Sequence, residues 1–224
     1  RAGPSAGVPA QHGPPVPLQV MFGRNGDSPV QVIAPATPGD CFDMAIEAWR
    51  LALKYVTPVV YLSDAFLANG AGPWKIPDIA GLPDISVENW TEREGFHPYE
   101  RDPKTLARKW AVPGTPGLEH RIGGLEKADI TGNVSYDPDN HHKMQTLRAQ
   151  KVAGLADDIP DLQVSGKETG KLLILRWGPH YGALRSAADR PHAVRRTHPH
   201  SPLRPLPPLP RHPRAIPTPS TTPN

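Results

Sequence analysis

An α/β fold built on a parallel sheet is predicted by three observations. A short β-branched apolar run, Val30-Gln-Val-Ile-Ala34, is bounded by Pro29 and Pro35. An amphipathic helical pattern follows it, and a second apolar run, Val59-Val-Tyr-Leu62, comes next. Strand, helix and strand in so short a span form a βαβ unit, whose strands are parallel and whose crossover is right-handed. Ligands of such sheets meet the loops beyond the carboxyl ends of the strands. Here those loops are residues 34–39 and 63–65.

Each element follows from its residues. Residues 1–29 are rich in Pro and Gly and have no usable periodicity, so they read as loop. The helix over 40–55 has Thr37 as its predicted N-cap, Pro38 at the first helical position and Asp40 completing a capping-box-like pattern. Phe42, Ala45, Ile46, Trp49 and Leu53 recur at helical spacing, so that face is expected to meet the core. Thr57-Pro58 stops the helix, and after the second strand Ser63-Asp64 opens a short helical pattern that ends at Asn69-Gly70. Residues 71–137 carry Trp74, Trp90 and Trp110 among many Pro and Gly, which predicts an ordered, irregular excursion with aromatics to bury. Asp137-Pro138 caps a helix to about 153, with Met144, Leu147, Val152 and Leu155 on its apolar side. A buried strand is expected over 171–177, and Gly178-Pro-His-Tyr-Gly182 turns it into a helical start over 183–188.

Composition then changes. Residues 189–224 hold 11 of the 30 prolines, six arginines, one acid, and neither Gly nor Lys. Their net charge is +5 against +3 for the whole chain, which leaves −2 for residues 1–188. The basic character therefore belongs to the tail, and a nucleic-acid binder, which shows its Lys/Arg excess on the folded part, is not expected. No run approaches the roughly 18–20 apolar residues of a membrane span. The single cysteine, Cys41, excludes an internal disulfide framework and fits the cytoplasm. The chain opens on Arg1 in a loop-like run and reads as an internal segment whose start lies upstream.

Local motifs have modest readings. Cys41 sits where a helix N-terminus favours a thiolate, but with no His nearby in sequence it reads as a small buried side chain. The adjacent His141 and His142 lack the i, i+4 spacing of helical ligands and read as solvated. Gly178 to Gly182 lacks both the dinucleotide fingerprint and the P-loop Lys-Ser/Thr, so a packing turn is expected rather than the phosphate loop of a sugar or nucleotide enzyme. Arg204-Pro-Leu-Pro-Pro-Leu-Pro210 has the form of a polyproline II ligand. It supports an alternative reading, a non-catalytic α/β binding protein with a partner-recruiting tail. The tail also has the composition of GC-rich DNA translated in another frame, starting inside an unfinished α/β unit.

Four strings occur together: Arg1-Ala-Gly-Pro-Ser-Ala-Gly-Val-Pro9, Met21-Phe-Gly-Arg-Asn-Gly-Asp27, Ala34-Pro-Ala-Thr-Pro-Gly-Asp-Cys-Phe-Asp43 and Pro113-Gly-Thr-Pro-Gly-Leu-Glu-His-Arg-Ile-Gly-Gly124, with Gly132-Asn-Val-Ser-Tyr136 in support. In this order they resemble the alpha subunit of bacterial 2-oxoacid:ferredoxin oxidoreductases of the 2-oxoglutarate type, over residues 1 to about 188. The resemblance implies that residues 1–168 are part of a thiamine-pyrimidine-binding-type domain, that 169–188 begin a transketolase-C-terminal-like α/β domain, and that 189–224 are a disordered or frame-shifted tail. It implies oxidative decarboxylation of a 2-oxoacid on thiamine diphosphate, with acyl-CoA formed and ferredoxin reduced. Arg1 then faces the substrate carboxylate, and Gly3, Pro4 and Ser5 shape its loop. The partner beta subunit holds the diphosphate, its Mg and the iron–sulfur cluster. The sequence departs from the family at Ala6 and Ala10, where the family has Thr, and over Gln11-His-Gly-Pro-Pro-Val16, where it has a charged stretch.

Overall fold

The computed structural model describes Val20, residues 28–160 and residues 178–187, with backbone alone at 164–165, 173–174, 188 and 195–197. The expected βαβ unit is present. Strand β1 (Gln31–Ile33) leads into helix α1 (Asp40–Tyr55), which returns the chain to β2 (Val59–Tyr61). The two strands pair in parallel, with Gln31 opposite Val59 and Ile33 opposite Tyr61. Beyond the ladder, the Leu62 amide donates to the Ile33 carbonyl at 2.8 Å. A short helix α2 (Ala65–Asn69) follows, its first turn closed by Asp64, whose carboxylate accepts from the Leu67 amide.

The start of α1 corrects the expected cap. The helix begins at Asp40 behind Gly39, so Thr37 and Pro38 lie in a tight turn ahead of it. The predicted bond is nonetheless made: Thr37 Oγ1 accepts from the Asp40 amide at 3.2 Å. The return bond shifts by one residue, because Asp40 Oδ2 accepts from the Ala36 amide at 2.7 Å rather than from Thr37. At its other end, α1 stops on Val56 in the left-handed conformation (φ 46°), whose amide bonds the Ala52 carbonyl.

The core face of α1 is also not the one the spacing favoured. Leu51 and Tyr55 are buried with Ile33, Leu155 and Ile159, and Met44 and Ala48 pack against them. Trp49 is 63% exposed. Both stripes, Met44-Ala48-Leu51-Tyr55 and Phe42-Ile46-Trp49-Leu53, have the same i, i+4, i+7, i+11 spacing. Periodicity finds a helix with two apolar faces and cannot rank them. The second face is used in part: the Trp74 ring lies 5.4 Å from Phe42, and Trp110 Nε1 donates to the Leu53 carbonyl at 2.8 Å. The excursion is thus ordered as expected and docks on α1 through its tryptophans. Inside it, β3 (Asn89–Trp90) and β4 (Trp110–Ala111) pair in parallel, and Lys109 Nζ sits 3.8 Å from the Trp90 ring centre.

Helix α3 (Pro138–Gly154) has Asp137 as N-cap, accepting from the Asp139 amide, and Pro138 in its first turn. It buries Met144 and Val152 and passes into a 3-10 turn, Leu155–Asp158, that seats Leu155 in the core. Asp158 then ties this turn to α1: Arg50 Nη1 and Lys54 Nζ each reach its carboxylate at 2.8 Å, and Glu47 holds the same Arg50 from its own helix. Burial alone would raise the Asp158 carboxyl; the hydrogen bonds from Lys54 and Arg50 hold it below its ordinary range.

Three short strands follow: β5 (Val164–Ser165), β6 (Leu173–Ile174) and β7 (Arg195–Thr197), in the order β5-β7-β6. The strand expected over 171–177 corresponds to β6, and β5 was not foreseen. Within 189–224, the segment expected to be a disordered or frame-shifted tail, β7 lies in the proline-free run between Pro191 and Pro199, where every residue keeps its ladder donor. The polyproline string 204–210 lies outside the described residues. Helix α4 (Tyr181–Ala188) completes the described elements. No helix among the described residues is long and apolar enough to cross a membrane.

Candidate functional site

The carboxyl edge of β1 and β2 is a shelf of small residues. Ala34, Pro35 and Ala36 are buried as the chain leaves β1. Asp40 is 5% exposed, and its carboxylate braces the Ala36 amide, which makes it a structural anchor of the turn. Tyr61, the last residue of β2, reaches across to donate its hydroxyl to the Cys41 carbonyl at 3.2 Å. Burial first, then Cys41 and the Asp40 carboxylate, push the Tyr61 phenol well above its usual range, so it stays protonated and a donor. Cys41 is half-buried with its Sγ 3.6 Å from the Thr37 carbonyl, in keeping with a packing role.

The shelf is roofed from the start of the excursion. A side chain at Gly39 would stand 3.1 Å from Trp74, and one at Gly70 would stand 2.8 Å from the Phe66 carbonyl. Both positions therefore accept only glycine without movement. Gly178, buried and left-handed (φ 71°), comes from α4's side so that a Cβ there would meet the Ala34 methyl at 3.7 Å. The Gly178–His180 turn is thus a packing turn against the end of β1, as expected. Around the shelf, Phe66, Ile76 and Ile79 are strongly exposed and Trp74 is half-exposed.

Arg1, Gly3, Pro4 and Ser5 lie outside the described residues. The structure brings together instead Tyr61, Trp74 and Gly178 around residues 34–39; of these, sequence reasoning weighs Gly178 alone, as part of a phosphate loop set against a packing turn. Tyr61 could have been found as the polar residue at the carboxyl end of a buried strand. Trp74 carries no such signal. His141 is exposed on its helix, as expected, and its Nδ1 lies 2.6 Å from Glu126 Oε2.

Comparison with known proteins gives this shelf a context. The family model for pyruvate flavodoxin/ferredoxin oxidoreductase, thiamine diphosphate-binding, matches residues 1–136. The chain belongs to this family. It is 50% identical over 192 residues to the 2-oxoglutarate oxidoreductase subunit KorA of Mycobacterium tuberculosis, covering 85% of this chain and 29% of that one. It is 28% identical to the 2-oxoglutarate synthase subunit KorA of Archaeoglobus fulgidus, covering 84% of this chain and 46% of that one. Among solved structures it resembles the 2-oxoglutarate:ferredoxin oxidoreductase from Magnetococcus marinus with 2-oxoglutarate, coenzyme A and succinyl-CoA bound, with a TM-score of 0.73 and 30% identity, over 89% of this chain and 36% of that one. The chain thus spans between 29% and 46% of the length of these relatives.

The family's description implies thiamine diphosphate, and the shelf can be tested for it by its donors. Residues 34–39 and 63–72 contain no Lys or Arg that could meet a diphosphate. Among the described residues no group of three His, Cys, Asp or Glu could hold its metal. The described shelf therefore does not fit the charged end of the cofactor. Its small, apolar residues and the Trp74 ring suit an uncharged ring.

Proposed function

We propose that this oxidoreductase-family chain is part of the alpha subunit of a cytoplasmic 2-oxoglutarate:ferredoxin oxidoreductase, which converts 2-oxoglutarate and CoA to succinyl-CoA and CO2 while reducing ferredoxin. The observation that carries the reading is the 50% identity to the 2-oxoglutarate oxidoreductase subunit KorA, a relative named for that substrate. The shelf supports a division of labour. With no cation or acid cluster of its own to hold a diphosphate and metal, it is matched to a partner beta subunit that brings the diphosphate, Mg and an iron–sulfur cluster. Residues 1–168 are then the thiamine-pyrimidine-binding-type portion, and 169–188 open the following α/β domain.

Arg1 is assigned to the 2-oxoacid. Its planar guanidinium can grip a carboxylate by two parallel hydrogen bonds, with Gly3 and Pro4 setting the loop and Ser5 adding a donor. The test is 2-oxoglutarate- and CoA-dependent reduction of ferredoxin by the full-length subunit co-purified with its beta partner. Pyruvate is expected to be a markedly poorer substrate. Arg1→Leu should lower kcat/KM for 2-oxoglutarate about 100-fold, the cost of losing a bidentate charge-assisted pair. Absence of ferredoxin reduction, or an unchanged kcat/KM in the variant, overturns the respective part of the proposal.

A further inference from the structure

The amino-terminal edge of β1 and β2, opposite the shelf, opens on a cavity of about 410 Å³ between the end of α1, the excursion and α3. Its wall carries Arg101, Arg108, Lys127, Arg148 and Lys151 against a single carboxylate, Glu126. Most of these charges are already committed. Lys127, 2% exposed, donates to the Gly123 and Leu125 carbonyls. Arg101 is paired from behind with Asp129 at 2.6 Å, and Glu126 is shared by His141 and Arg148.

Two cations remain without a carboxylate among the described residues. The Arg108 guanidinium lies 4.7 Å over the Tyr99 ring, a contact that leaves its N–H fork free for another acceptor. Lys151 makes one hydrogen bond, a long one of 3.5 Å to the Val56 carbonyl. Burial, then Arg108 and Arg101, push the Lys151 ammonium down to about 8. Desolvating an amine beside two guanidiniums is costly unless an anion offsets it. One wall residue, Val56, stands in the left-handed region (φ 46°). Side chains in this conformation cost energy that persists where the surroundings over-determine it.

We propose that this cavity is a second ligand site that binds a dianionic phosphoryl group, with the Arg108 fork and the Lys151 ammonium as its direct partners and Arg101 adding charge from the side. Two uncommitted cations match a dianion, whereas a carboxylate would neutralise only one. The site is independent of the 2-oxoacid reading, since no residue of the shelf lines it. The phosphoryl group could be free phosphate or the end of a phosphorylated ligand, and the probes separate these.

The experiment is isothermal titration of the full chain with inorganic phosphate, pyrophosphate and ADP in turn, at constant ionic strength. Saturable binding at one site is expected for at least one probe. Phosphate binding as tightly as ADP identifies the free ion; ADP binding tenfold more tightly identifies a phosphorylated ligand; both sustain the proposal. Arg108→Met and Lys151→Met should each weaken binding about tenfold or more, as expected for losing a charged hydrogen bond. Arg108→Lys keeps the charge and loses the fork, so it serves where Arg108→Met fails to fold, and an intermediate affinity is expected. Lys143→Met removes an exposed cation that pairs with Asp129 off the wall, and it should leave binding unchanged. Absence of saturable binding for all three probes overturns the proposal. So does an equal loss in Lys143→Met, which would mean diffuse attraction rather than a site.

Discussion

The βαβ unit and the excursion that covers it are built by different physics. Residues 30–62 are held by apolar burial: Ile33 and Leu51 are completely inaccessible and meet Leu155, also inaccessible, from far along the chain. In the excursion, residues 71–137, the fully covered side chains are Leu118 and Lys127. Its shape comes instead from side chains that satisfy backbone or charge. Asp102 takes the amides of Lys104 and Thr105, Asn140 brackets the Asp129 amide and the Lys127 carbonyl, and Lys109 pairs with Glu100 over the Trp90 ring. One region therefore answers to lost volume, and the other to lost charge.

Three substitutions test that contrast. The largest effect is expected for Leu51→Ala, which should cost about 2–5 kcal/mol in urea unfolding by leaving a cavity in the core. A cost below about 1 kcal/mol would mean that the two regions share their stability. A middle effect, about 2 kcal/mol, is expected for Asp129→Asn, which strands Arg101 and Lys143. It should appear first as faster hydrogen exchange at the Tyr99 amide, with the β1 amides unchanged.

Acid should mimic this substitution. Burial alone would raise the Asp129 carboxyl, but Lys143 and Arg101 hold it below its ordinary range. A carboxyl with a depressed folded pKa contributes its full stability above its unfolded value, near 4, and loses it as pH falls through the folded one. Exchange at Tyr99 should therefore accelerate below about pH 4 in the wild type and change less in Asp129→Asn. The smallest effect belongs to Gly178→Ala, about 1–2 kcal/mol from a side chain forced into the left-handed region with the Ala34 methyl nearby.

The βαβ unit was legible because its signals are local. Two β-branched runs and a proline-bounded helix between them place β1, α1 and β2 in the sequence itself, and the bounds of α1 match the periodic stretch. Which side of α1 is core was not legible, because the stripe through Trp49 and the stripe through Leu51 are equally spaced. Only Leu155 and Ile159, arriving from far along the chain, decide between them. The order of the excursion could be read from its tryptophans, but its cation cavity could not. Arg101, Arg108, Lys127 and Lys151 are spread over fifty-one positions, with no spacing that marks them as neighbours. β5 and β7, Val164–Ser165 and Arg195–Thr197, lack the apolar run that marks β1 and β2. The assignment of Arg1, Gly3, Pro4 and Ser5 rests on family resemblance, because a glycine loop with one arginine has no chemistry that its composition alone reveals.

The tie between Arg50 and Asp158 spans 108 residues and has a consequence for how the chain comes to be made. At a synthesis rate of about 5–20 residues per second, some 5–20 s pass between the emergence of Arg50 and that of its partner. Leu155 and Ile159 arrive over the same interval, so the apolar face of α1 through Leu51 waits with them. The βαβ unit can close on itself early, yet its core is filled last. A nascent chain paused anywhere in the excursion presents that unfilled face to whatever is near the ribosome exit, and chaperone binding should be heaviest over that window.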